Sequence, residues 1–112
     1  MLLNPEDINN AFEELKNARV IAVVATKNVL ANEHTLDSKK AELLMSGAII
    51  GKNDKERDAQ LKVAMLVEGN NLYDSQMNQI DALAGLEIAK DRMKEIDFLL
   101  RLDEAEYHAR PN

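Results

Sequence analysis

The stretch GAIIGKNDKERDAQL, residues 47–61, decides the fold, because its two glycines and lysine fit two different structures. A phosphate-binding loop follows the pattern G-x-x-x-x-G-K-[ST] and joins a β-strand to a helix. Here Gly47 and Gly51 stand one residue too close together, and Asn53 replaces the hydroxyl residue that would hold magnesium. The residues before the stretch have a helical pattern. The sequence therefore argues against a nucleotide-binding loop.

The same stretch fits a tight turn between two helices. Gly51 can take the left-handed conformation that ends a helix. Asn53 can cap the next helix, and Glu56, three residues later, completes the pattern of a capping box. We therefore expect one helix to end before Gly51 and another to begin at about Asp54.

Composition favours long helices throughout the chain. The 112 residues suffice for a single domain, 1–112, and the two prolines stand at the ends, at Pro5 and Pro111. Hydrophobic residues make up 46% and charged residues 30%, which is typical of a folded soluble domain. Only four side chains are aromatic, so the core must consist of Leu, Ile, Val, Ala and Met.

The first half of the chain predicts two helices. NPED, residues 4–7, is a strong helix start, with Asn4 as the cap and Pro5 at the first helical position. Apolar residues then recur at steps of three and four, which predicts a helix over about 5–31. Its stripe consists of Ile8, Phe12, Leu15, Ala18, Ala22, Ala25 and Val29.

A polar connector, ANEHTLDS at 31–38, is expected to follow, with Thr35 or Asp37 capping a short helix over about 36–48. The residues of this helix expected to face the core are Leu36, Leu43, Leu44 and either Ile49 or Ile50.

A seven-residue repeat dominates the second half and predicts a long helix over about 54–107. EGNN, at 68–71, is unfavourable within a helix, so a break or kink at 69–71 is the alternative to one uninterrupted helix. One position of the repeat holds Met65, Leu72, Gln79, Leu86, Met93 and Leu100; the other holds Leu61, Glu68, Ser75, Ala82, Ala89, Ile96 and Asp103.

These elements predict an all-α fold, a helical hairpin plus a long C-terminal helix, with bundle or coiled-coil-like packing. The repeat also offers a surface for self-association. The residues predicted for that contact are Leu72, Leu86, Met93, Ile96 and Leu100. The alternative is that these residues form the core of a single copy.

Charge argues against nucleic acid and membranes as partners. The formal net charge is −6, and residues 53–112 hold eight basic and thirteen acidic side chains. Binding to a nucleic-acid backbone or an anionic membrane needs clustered Lys and Arg. The only local basic grouping of this half consists of Lys55, Arg57 and Lys62. Together with the preceding Lys52, it offers a nucleic-acid contact as an alternative.

The N-terminus shows no secretion signal, and the longest apolar run, residues 20–25, is too short to span a bilayer. We therefore expect a cytoplasmic protein, bacterial or in a phage-infected cell. The chain has no cysteine, which excludes disulfides and thiolate chemistry.

No pattern of catalytic residues emerges. His34 lies in the polar connector, and His108 follows Glu104 by four residues, which at most provides half a metal site. Catalytic triads and di-iron bundles need partners that these histidines lack. We predict no enzyme, no catalytic residue, no cofactor, no metal and no small-molecule substrate.

The segment GKNDKERDAQL, 51–61, resembles a motif G-K-N-x-x-x-R-x-A-Q-L of small helical phage and prophage proteins of unknown function. In those proteins an acidic helix rich in Leu and Ala follows and often ends in a run such as LLRL, here residues 99–102. The resemblance covers about 43–103, and EGNN within the long helix departs from it.

The resemblance implies a phage or prophage setting but no activity. We expect a non-enzymatic helical protein that works through self-association or a helical protein partner. The alternative is an accessory of phage DNA replication or recombination that contacts nucleic acid.

Overall fold

The computed structural model describes residues 3–109, which form three α-helices and no β-strand. Helix α1 spans Pro5–Met45, α2 spans Asp54–Ala64 and α3 spans Leu66–Ala109. The prediction of an all-α fold is confirmed. That the whole chain forms one domain stays a prediction.

Helix α1 begins where the sequence predicts. The side chain of Asn4 accepts a hydrogen bond of 2.9 Å from the backbone N–H of Asp7 through Oδ1. Pro5 is the first helical residue, where its missing N–H costs nothing, and Glu6 and Asp7 lie at the positive end of the helix dipole.

The predicted connector at 31–38 is wrong, because α1 continues through it without a break. Thr35 does not cap a new helix; its hydroxyl donates to the carbonyl oxygen of Ala31 at 3.0 Å, within α1. No glycine or proline stands between Pro5 and Gly47 to stop the helix. The predicted helices 5–31 and 36–48 are therefore one helix.

Burial along α1 explains this continuity. Buried and half-buried residues recur at alternating steps of three and four, the spacing of a packed helix face. They are Ile8, Ala11, Leu15, Ala18, Ala22, Ala25, Val29, Asn32, Leu36, Lys39 and Leu43. Two expectations for core-facing residues are wrong, since Phe12 and Leu44 are exposed, and Ala11 takes the place of Phe12 on the buried face. Of the alternatives Ile49 and Ile50, Ile49 is half-buried.

The turn between α1 and α2 uses its two glycines differently from the prediction. Gly47, not Gly51, takes the left-handed conformation after α1, with φ 75°. Gly51 is needed for space instead: a Cβ built there would lie 2.6 Å from the backbone nitrogen of Arg57.

The predicted cap of α2 is confirmed. Asn53 accepts a hydrogen bond of 2.9 Å from the backbone N–H of Glu56. The carboxylate of Glu56 reaches back one residue further than a capping box requires, and accepts from the N–H of Lys52 at 2.8 Å. The last two residues of this loop are thereby tied to the first turn of α2.

The predicted single helix over 54–107 is interrupted, but at Met65 rather than at 69–71. Met65 has φ −109° and ψ 23°, outside the helical range. Gly69 is helical, and its N–H bonds to the carbonyl oxygen of Met65 at 2.8 Å. No proline or glycine stands at Met65, so the sequence carries no signal for this irregularity.

The chain divides into two compact units. The first contains the residues up to Val23 and those from Asp81 onward. In it, the start of α1 packs against the last part of α3, and Ile96, which is 1% exposed, lies with Leu3 and Ala11. The partly buried residues around this cluster are Ile8, Met93, Leu99 and Leu100.

The second unit is Val24–Ile80. It contains the second half of α1, the turn, α2 and the start of α3. Gln79, a polar interruption of the seven-residue repeat, donates from Nε2 to the hydroxyl oxygen of Thr26 on α1 at 3.0 Å. A polar pair therefore bridges α1 and α3 on the packed face of this unit.

Candidate interaction surface

The seven-residue repeat forms the inward face of α2 and α3. Every residue at its two positions, from Leu61 to Asp103, is buried or half-buried. Burial of one continuous face is what such a repeat specifies.

The five residues predicted for self-association all lie on this inward face. Ile96 is buried, and Met93 and Leu100 pack against its cluster. Leu72 and Leu86 are half-buried. Ile96, Met93 and Leu100 therefore belong to the chain's own core, which is the alternative that the sequence left open. Self-association through these five residues stays a prediction.

The buried and exposed apolar residues show an unusual distribution of size. Among residues 3–109, five of the nine buried apolar residues are alanines, whereas twenty large apolar side chains are exposed. Packed domains ordinarily bury Leu, Ile, Val, Phe and Met. The buried residues are Leu3, Ala11, Ala22, Ala25, Val29, Leu61, Ala82, Ala89 and Ile96.

Three of the exposed residues form a row on the outer face of α3 in the second unit. Tyr73, Met77 and Ile80 follow each other at steps of four and three, so they lie on one face of the helix. Each is between 40% and 59% exposed. We call this set the α3 row. The sequence contains this spacing, but the seven-residue repeat of the inward face is longer and is the stronger pattern.

A matching row lies on α1 in the first unit. Lys16, Val20 and Val23 also follow each other at steps of four and three, and both valines are more than half exposed. We call this set the α1 row. The longest apolar run of the sequence, residues 20–25, passes through this row, and the structure leaves the outer side of the run uncovered.

The two rows lie in segments of opposite charge. Residues 15–32 hold three basic and no acidic side chains, namely Lys16, Arg19 and Lys27. Residues 66–86 hold three acidic and no basic side chains, namely Glu68, Asp74 and Asp81. The basic residues that follow in α3 pair within that helix, as Lys90 does with Glu87 at 3.2 Å.

The segment GKNDKERDAQL, 51–61, is held together by local contacts. Gln60 accepts through Oε1 from the backbone N–H groups of Ile50 and Gly51, each at 2.9 Å. Arg57 donates to the carbonyl oxygen of Gly51 at 3.3 Å, and Leu61 is buried. Together with the cap at Asn53, these contacts fix the turn. The spacing of these residues therefore has a folding explanation without any ligand.

The four residues of the alternative nucleic-acid contact differ in their surroundings. Lys52, Lys55 and Lys62 are exposed. Arg57 is half-buried and pairs with Asp54 as well as with Gly51. Three acidic residues, Asp54, Glu56 and Asp58, are interspersed among them. This is a mixed surface rather than a basic patch.

An open apolar groove lies beside the turn in the second unit. Its walls are the end of α1, the turn and the middle of α2, with Leu43, Ile50 and Val63 among the lining residues. Gln60 is the polar residue of the lining, and its side-chain oxygen is already used by the turn.

The histidines lie apart from any cluster of ligands. His34 and His108 are both exposed. Within residues 3–109, no group of three or more His, Asp or Glu side chains is placed to hold a metal ion. Within the same range, none of the helices combines the length and apolar character that crossing a membrane requires.

Comparison with protein-family models, with curated proteins and with solved structures finds no match to this chain. Its function is therefore inferred from its own exposed surfaces and charges.

Proposed function

We propose that this chain is a non-enzymatic interaction protein that assembles with further copies of itself through the outer faces of its helices. The observation that supports the proposal is that mostly small apolar residues are buried while many large ones are exposed. Alanines fill much of the interior, whereas Val, Ile, Leu, Met, Phe and Tyr side chains face outward. Exposed apolar surface of this extent is typical of an interface.

The size of the exposed surface supports the same proposal. The chain exposes 8517 Å². A folded monomer of 12.6 kDa exposes roughly 6,200 Å². The excess, about 2,300 Å², matches what one chain of an obligate homodimer buries, roughly 1,000–2,500 Å². One further copy therefore offers enough surface to remove the excess.

The biological setting of this assembly is also part of the proposal. The resemblance of residues 51–61 to a motif of phage and prophage proteins supports a phage or prophage origin. An assembling helical protein needs no catalytic group, in keeping with the absence of a catalytic pattern in the sequence.

Light scattering over a wide range of protein concentrations tests the proposal. We expect the mass to exceed the chain mass of 12.6 kDa and to rise with concentration. A mass equal to one chain at every concentration up to about millimolar, where even weak interfaces are occupied, would overturn self-assembly as the function.

A further inference from the structure

We propose that the α1 row of one copy docks on the α3 row of another copy. The inference rests on the proposed self-assembly and names the two surfaces that make the contact. Because the rows differ, every contact joins the α1 row of one copy to the α3 row of another.

The shapes of the two rows fit each other. In both, the residues follow at steps of four and then three, the spacing at which two helices interdigitate. The α1 row presents the short side chains of Val20 and Val23 after the long side chain of Lys16. The α3 row presents the longer side chains of Tyr73, Met77 and Ile80. Short side chains opposite long ones let two helices pack closely.

Charge identifies the occupant as a second copy. A chain of net charge −6 repels its own copies on average, so a stable contact needs local attraction. The exposed bases Arg19 and Lys27 stand near the α1 row, which also contains Lys16, and the exposed acids Asp74 and Asp81 stand beside the α3 row. Contact between them joins opposite charges, whereas contact of either row with itself joins like charges.

Four variants test the contact, two on each row. Val20→Glu and Val23→Glu place an acid on the α1 row, and Met77→Lys and Ile80→Lys place a base on the α3 row. Each residue is exposed, so the helices persist, as circular dichroism checks. We expect each variant alone to associate roughly a hundredfold more weakly than the wild type, because an unpaired charge in an interface is strongly unfavourable.

Mixing is the decisive measurement. An equimolar mixture of Val20→Glu and Met77→Lys still contains one intact pair of rows, the α1 row of the second variant and the α3 row of the first. We expect the mixture to form a two-chain complex at a concentration where each variant alone has the mass of one chain. Asn10→Glu and Asn78→Lys are matched controls, since they add the same charges at exposed sites outside the rows, and should keep the wild-type mass.

The outcomes separate this inference from the proposed function. A wild type that is monomeric throughout overturns both. A wild type that assembles, with row variants that assemble equally well, overturns the pairing of rows and leaves self-assembly standing. Loss of assembly in the variants of one row only, or a mixture in which every chain stays single, likewise overturns the pairing.

Discussion

Replacing Ile96 with alanine is expected to destabilise the fold by about 2–5 kcal/mol, the range for truncating a large aliphatic side chain in a core. Ile96 is 1% exposed and lies in a cluster with Leu3 and Ala11. The fully buried neighbour on α1 is Ala11, whose short side chain cannot fill the cavity that the truncation leaves. Chemical denaturation at fixed protein concentration measures the change.

The matched control is Ile88→Ala on the same helix. Ile88 is 71% exposed, so the same truncation should change the free energy of unfolding by no more than about 0.5 kcal/mol. Light scattering on both variants adds a second readout. If Ile96→Ala kept its stability but lost assembly, Ile96 would be a contact between copies, as the sequence had allowed, and the assignment of the inward face to the chain's own core would be wrong.

Local chemistry made the helix starts predictable. Asn4 and Asn53 cap α1 and α2 because an asparagine side chain satisfies an N–H that the first turn leaves free. The same local reasoning failed at Thr35, where a hydroxyl that fits a cap bonds instead to the carbonyl oxygen of Ala31. Whether such a residue caps or continues a helix depends on the packing of distant residues, which local signals do not contain.

The inward face was predictable because a seven-residue repeat specifies burial. The helix that covers this face could not be predicted, because a repeat of this kind packs equally well against a helix of the same chain or of another copy. Ile96 and Met93 show the consequence: their burial was foreseen as one of two alternatives, and the structure covers them with the chain's own α1.

The outer rows were harder to find from sequence. Tyr73, Met77 and Ile80 have clear helical spacing, but Asn, Asp and Gln residues separate them and the row is short. This helix has apolar residues on two faces. The longer stripe gives a clear repeat, whereas the sequence pattern of the shorter one is the same as that of a few isolated exposed residues. Only burial separates the face that is covered from the face that is not.

Replacing Gly51 with alanine is expected to destabilise the chain by about 1–3 kcal/mol, the cost of forcing extra atoms into a filled site. The added Cβ would lie 2.6 Å from the nitrogen of Arg57 and 2.9 Å from the carbonyl carbon of Glu56. Both neighbours are backbone atoms of the first turn of α2, so neither can rotate away. Relief requires the loop to move, which strains the bond from the Gly51 N–H to Gln60.

Gly85→Ala is the matched control, with the opposite sign expected. Gly85 lies within α3, and a Cβ built there meets nothing within 4 Å. Alanine in a helix interior should stabilise by roughly 0.5–1 kcal/mol, because it restricts the unfolded chain. Denaturation midpoints of the two variants, compared with the wild type at one protein concentration, should therefore move in opposite directions. If Gly51→Ala were neutral or stabilising, the close approach at the turn would be absent, and the motif of residues 51–61 would need an explanation other than folding.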